Sequence, residues 1–263
     1  MADAQMVLAY SRDAGIVAIP SGTKYEAART ALETSGFQRG DAGVYRLQAD
    51  DPDASRATVA DLVRSAETHG VQVTTSSRRF IGDAARDIAR VLPGQWDTQV
   101  EQYCHPVWQE DLVPHLWDSG ELGRAVQSER IPYAATLTDT ASGTTLLLIE
   151  RPGRQLHYLV GAFAPEPFGE GYGDPHAPRS IVLPPFPGRA AQEITGRYLP
   201  AYDRAVHARR IATVAGALDR IRTEHDTWAA MVASGRYSDA TRWASTRSAP
   251  RPHSSWTAPG GTS

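Results

Sequence analysis

The chain is poor in the residues that build covalent or metal-held scaffolds. A single cysteine, Cys104, occurs in 263 residues, which excludes an intramolecular disulfide and a cysteine-built zinc site. The fold must therefore stand on its hydrophobic core. Long apolar runs are also missing: the strongest, Thr145 to Ile149 and Met6 to Tyr10, fall far short of the roughly 20 residues that cross a bilayer. The N-terminal residues lack the basic start, apolar centre and small-residue cleavage site of a secretory signal. A cytoplasmic protein without a membrane partner is expected. Familiar catalytic motifs are absent too. There is no HExxH pair and no GxxxxGK(S/T) loop, so neither a metal nor a cofactor is expected. Gly169, Gly171 and Gly173 form a GxGxG run that only superficially resembles a dinucleotide fingerprint, and Pro175 and Pro178 forbid the helix that such a site must open.

What is present reads as a folded protein. Hydrophobic residues make up 41% and charged residues 22%, outside the low-hydrophobicity, high-charge regime of disordered chains. The net charge of −3 is uneven: from Arg236 onward four arginines face one aspartate, giving +3 and leaving −6 for the rest. The body is not a basic nucleic-acid domain, whereas the tail has the charge of a basic arm.

The pattern along the chain predicts an α+β fold. Residues 1–93 read as an N-terminal α/β module of short strands and three helices. Strands are expected at Met6–Tyr10 and Ile16–Ile19, ended by Pro20 to Gly22. A first helix follows, with Thr23 and Glu26 at capping-box spacing. A strand is expected at Val44–Leu47, and a second helix after Asp51-Pro52 with Val59, Leu62, Val63 and Ala66 facing inward. A further strand at Val71–Thr75 precedes a third helix over about Ser77 to Leu92. Residues 95–234 form the second expected region: a helix carrying Val107, Leu112, Leu116 and Trp117, bent or restarted near Pro114, a short one at Leu122–Val126, then an antiparallel meander at Tyr133–Thr138, Thr144–Ile149 and Gln155–Phe163. A Pro/Gly-rich loop over 164–188 follows, with a short strand at Ser180–Leu183, and then a helix to Ala233 with a break at Pro200. Residues 235–263 read as a disordered basic tail.

Four places carry candidate chemistry. The turn Gly22, Thr23, Lys24 lies between a strand and a helix, where free N–H groups hold anions, and its lysine opposes the helix dipole unless an anion is present. An ordinary capped helix start accounts for the same residues. Glu170, Asp174 and His176 are acid/base candidates if the 164–188 loop covers a pocket, with Arg179 or Arg189 as an anion clamp. A plain surface loop is the competing account. Cys104 and His105 diverge as neighbours on any regular backbone, so the cysteine needs a distant base such as His115, His157 or His176. Finally, Ile211, Val214, Leu218, Ile221, His225, Trp228 and Val232 are spaced alternately three and four, a heptad seam that suits either a second chain or internal packing.

These features favour a non-enzymatic interaction protein over an enzyme with a pocket under the loop or a purely architectural oligomeric subunit. Its expected contacts are self-association through the C-terminal helix and binding of nucleic acid or another polyanion by Arg242, Trp243, Arg247 and Arg251.

Overall fold

The computed structural model describes residues 4–40, 43–48, 50–154, 156–169 and 171–234. The tail arginines and Trp243 lie outside the described residues, as does Glu170.

Two hairpins and a returning strand build the first sheet. β1 (Ala4–Ser11) and β2 (Gly15–Gly22) pair antiparallel, from Ala4 opposite Gly22 to Ser11 opposite Gly15. After α1 (Tyr25–Thr34), β3 (Gln38–Arg39) and β4 (Tyr45–Leu47) extend the sheet beyond β2. α2 (Pro52–Thr68) then leads to β5 (Gln72–Arg79), parallel to β1, for a strand order of β3-β4-β2-β1-β5. At α2 the local signals act as written in the sequence. Asp51 Oδ1 accepts the Asp53 N–H at 2.9 Å, Pro52 occupies the first turn, and Gly70, at φ 66°, lets the chain leave the helix.

Three local expectations shift. Pro20 does not end β2: it lies opposite Met6, past the Ile16–Ala18 stretch paired with β4, so its missing N–H interrupts no bond to β4. The capping box does not form, because Lys24 is the N-cap of α1 and makes no side-chain cap. The third helix starts later than its periodicity suggests; pairing with β1 holds β5 to Arg79, and α3 spans Ile81–Ala89.

The second sheet is separate and antiparallel. It consists of β6 (Trp96–Gln102), β8 (Tyr133–Asp139), β9 (Thr145–Glu150), β10 (Tyr158–Phe163) and β11 (Ile181–Leu183), in the order β11-β10-β9-β8-β6. The two-residue β7 (Leu116–Trp117) pairs with β10. Between β6 and β8 lie α4 (Pro106–Glu110) and α5 (Glu121–Ser128). β6 fills a stretch for which the sequence predicts no regular element. It is an edge strand in which only Trp96 and Val100 are apolar among Asp, Thr, Gln and Glu, so its alternation is weak.

Burial explains the layering. Val17 and Ile19 of the first sheet, Ile81 and Ile88 of α3, and Leu146, Leu148 and Val160 of the second sheet share one core cluster. α1 and α2 cover the other face of the first sheet through Ala28, Leu32, Leu62 and Ala66. α5 covers the other face of the second through Leu122 and Val126. With both faces covered, Leu146 to Ile149 are buried consecutively rather than alternately.

α6 (Pro187–Glu193) runs through a π turn, Ile194–Tyr198, into α7 (Leu199–Ala233). Pro200 has no N–H and its ring crowds a carbonyl four residues back. The wider π turn takes up this mismatch, and the helix continues instead of breaking. The chain divides into two compact units, Met1–Ala208 and a second that starts at Arg209. No helix among the described residues is long and apolar enough to cross a membrane.

Candidate functional site

In the second unit the heptad positions form an open apolar face. Ile211, Val214, Leu218, Ile221 and Trp228 are 57%, 60%, 61%, 63% and 47% exposed, and Val232 and His225 are exposed as well. The seam covers 22 residues, about 32 Å at 1.5 Å per residue. The hydroxyls of Thr213, Thr223 and Thr227 are satisfied within the helix, donating to the carbonyls of Arg209, Asp219 and Thr223. Flanking the seam are Ala215, Ala217, Arg222, Glu224, Ala229 and Met231. The alternating three and four spacing is the period of a coiled-coil seam.

The Gly22–Lys24 turn is closely engaged. The Gly22 N–H donates to the Cys104 carbonyl at 2.8 Å. Lys24 points away from its own helix: its Nζ lies 3.0 Å from where a Cβ on Gly70 would stand, at the C-terminal end of α2. A cation there meets the negative end of a helix dipole, which resolves the misplacement that the sequence implies without an anion. Tyr25 stacks edge-on against His105 at 5.6 Å, and His105 against Trp108 at 5.0 Å.

Cys104 is buried in this cluster. Its thiol donates to Gln102 Oε1 at 3.3 Å, and Arg130 donates to the Tyr103 and Cys104 carbonyls. Burial pushes the thiol up, more than the Tyr25 hydrogen bond and the charge of Arg130 bring it down. A nucleophilic cysteine needs the opposite shift.

The 164–188 loop is tied to the rest of the chain at several points. Asp174 Oδ2 accepts the buried Trp117 indole N–H at 3.1 Å, and its Oδ1 accepts the His176 backbone N–H at 2.9 Å. Trp117 also meets Phe168 and Tyr202 edge-on, each at 5.6 Å. The Gly171 N–H donates to Pro114 O at 2.8 Å, and a Cβ there would strike the Leu116 carbonyl at 2.9 Å. Asp174 and His176 are thus neighbours through a backbone bond, while Arg179 and Arg189 are exposed. The anchoring role of Trp117 leaves no local signal in the sequence, because its ring partners Phe168 and Tyr202 and the carboxylate of Asp174 lie 51 or more positions downstream.

Among the described residues, no group of three or more His, Cys, Asp or Glu is placed to hold a metal ion. No family model, curated protein or solved structure matches this chain.

Proposed function

We propose that the protein is a non-enzymatic interaction protein that assembles with a second copy of itself through the Ile211–Val232 face of α7. The observation that carries this reading is the exposure of an apolar seam in strict heptad spacing. The contacts of Cys104 and Asp174 favour it over a catalytic role, since each group is occupied in packing. A like helix is a partner that matches the period, because both strands of a two-helix supercoil carry the same heptad repeat.

Sedimentation velocity on the full chain tests it. The wild type sediments at twice the 28.5 kDa chain mass. Leu218→Asp, which places a carboxylate inside the paired seam, weakens association by more than about a hundredfold. His225→Leu removes the polar core position and tightens it. A monomeric wild type, or Leu218→Asp that associates equally well, rejects the proposal.

Composition supports a second contact. Arg242, Arg247 and Arg251 interleaved with Trp243 suit phosphate neutralisation and base stacking. Salt-dependent binding of single-stranded DNA by the full chain, lost in a chain ending at Ser234, is the expected result; equal binding by both removes this contact.

A further inference from the structure

A cavity of about 330 Å³ lies where the β3–β4 hairpin, α3 and β6 meet. Small residues, Ala14, Gly40, Gly82 and Ala85, make part of its wall. A Cβ on Gly82 would lie 2.6 Å from the Phe80 ring and 2.9 Å from Val100, and Ala85 presents one methyl group one turn further along α3. Thr98 and Gln99 of β6 add polar side chains.

Two arginines line this space, and they differ in what they already hold. Arg86 is ion-paired with Asp83 and, at 3.1 Å, with Asp13, yet its buried Nε–H has no acceptor among the described residues. Buried donors are rarely left unpaired. Arg46 makes no ion pair or side-chain hydrogen bond with any described residue. Its place is set by the sheet. Arg46 lies opposite Val17 and next to Tyr45, so as Tyr45 enters the core under α1 and α2, Arg46 falls on the α3 side. The guanidinium lies across Gly40: a Cβ there would be 3.3 Å from Arg46 Nε and 3.5 Å from Cζ. Any other residue at position 40 would displace it. Arg46 and Ala14 also line an adjoining polar cavity of about 500 Å³ at the β1–β2 turn, with Tyr10, Arg12, Gln38 and Asp50.

We infer that this cavity binds a small anion, a carboxylate or phosphate compound of roughly ten heavy atoms given the volume of about 30 Å³ that each water occupies in the liquid, with Arg46 as the charge partner and the Arg86 Nε–H as a buried donor. An unpaired guanidinium is the side chain that recognises planar carboxylate or tetrahedral phosphate oxygens by two parallel bonds. The acidic partners of Arg86 offset its charge, so Arg46 supplies the net attraction.

Isothermal titration of the full chain with sodium phosphate and with sodium succinate, at ionic strength held constant with sodium chloride, tests the site. Saturable binding of at least one probe is expected, and the stronger probe identifies the anion class. Arg46→Ala weakens it about ten- to a hundredfold, the loss that accompanies a charge-assisted bond. Arg46→Gln does the same while keeping the side-chain bulk, and both variants melt like the wild type without ligand because Arg46 is exposed. Absence of saturable heat with both probes overturns the inference, as does unchanged affinity in either variant.

Discussion

Arg78 of β5 joins the first sheet to the β9–β10 connection. Its guanidinium donates to Glu150 Oε2 at 3.0 Å and to the carbonyls of Arg151 and Arg154 at 3.2 and 2.6 Å. The Tyr133 hydroxyl donates to the other Glu150 oxygen at 3.0 Å. The Arg78 and Glu150 side chains keep 14% and 22% of their exposure. Burial pushes the Glu150 carboxyl up, and the charge of Arg78 and the bonds from Tyr133 and Arg78 reverse only part of that shift. Arg78→Ala would leave this carboxylate buried with Tyr133 alone. Breaking a fully buried pair costs about 3–5 kcal/mol. Residual solvent access lowers this to about 2–4 kcal/mol, a fall in Tm of roughly 5–12 °C for a chain of this size. The sign with pH follows from the raised carboxyl. Glu150 holds its proton more tightly when folded, so its favourable contribution is complete below the unfolded glutamate value and is lost as pH rises through the folded one. Losing Arg78 raises the folded value further. The deficit of Arg78→Ala is therefore small in acid and complete near neutrality, and adding Glu150→Gln restores most of it. Urea denaturation at about pH 4 and pH 7 measures these differences. An equal deficit at both pH values, or a double variant no more stable than Arg78→Ala, would refute the reasoning.

Two further substitutions probe the packing. Gly82→Ala, which stabilises an ordinary helix, here forces a methyl group against Phe80 and Val100 and lowers stability by about 1–3 kcal/mol in the same assay. Asp174→Ala strands the buried Trp117 indole N–H, costing about 1–3 kcal/mol. His176→Ala stays within about 0.5 kcal/mol of the wild type, since only its backbone N–H bonds Asp174; thermal melts separate the two outcomes.

The sequence was most legible where one local signal sufficed. The Asp51-Pro52 start of α2, the meander and the inward stripe Ile81, Ala84 and Ile88 of α3 each follow from spacing or turn chemistry within a few residues. β6 was not legible because an edge strand with only Trp96 and Val100 as apolar residues carries too weak an alternation to stand apart from a helix surface or a loop. The orientation of Lys24 depended on α2, whose end lies more than forty residues further on. The same holds for the sites. The heptad seam is a local period and could be read directly, while Arg46 stands out only once Gly40, Gly82 and β6 are brought around it. Pairings such as Arg78 with Glu150, 72 positions apart, leave no mark on composition or period.

Concentration-dependent hydrogen exchange across residues 209–233 of the full chain addresses self-assembly most directly. Pairing through Leu218 and Ile221 predicts that amides of this segment become progressively more protected between about 1 and 100 μM protein while those of the central β-strands do not change. Exchange in the segment that is independent of concentration would contradict it.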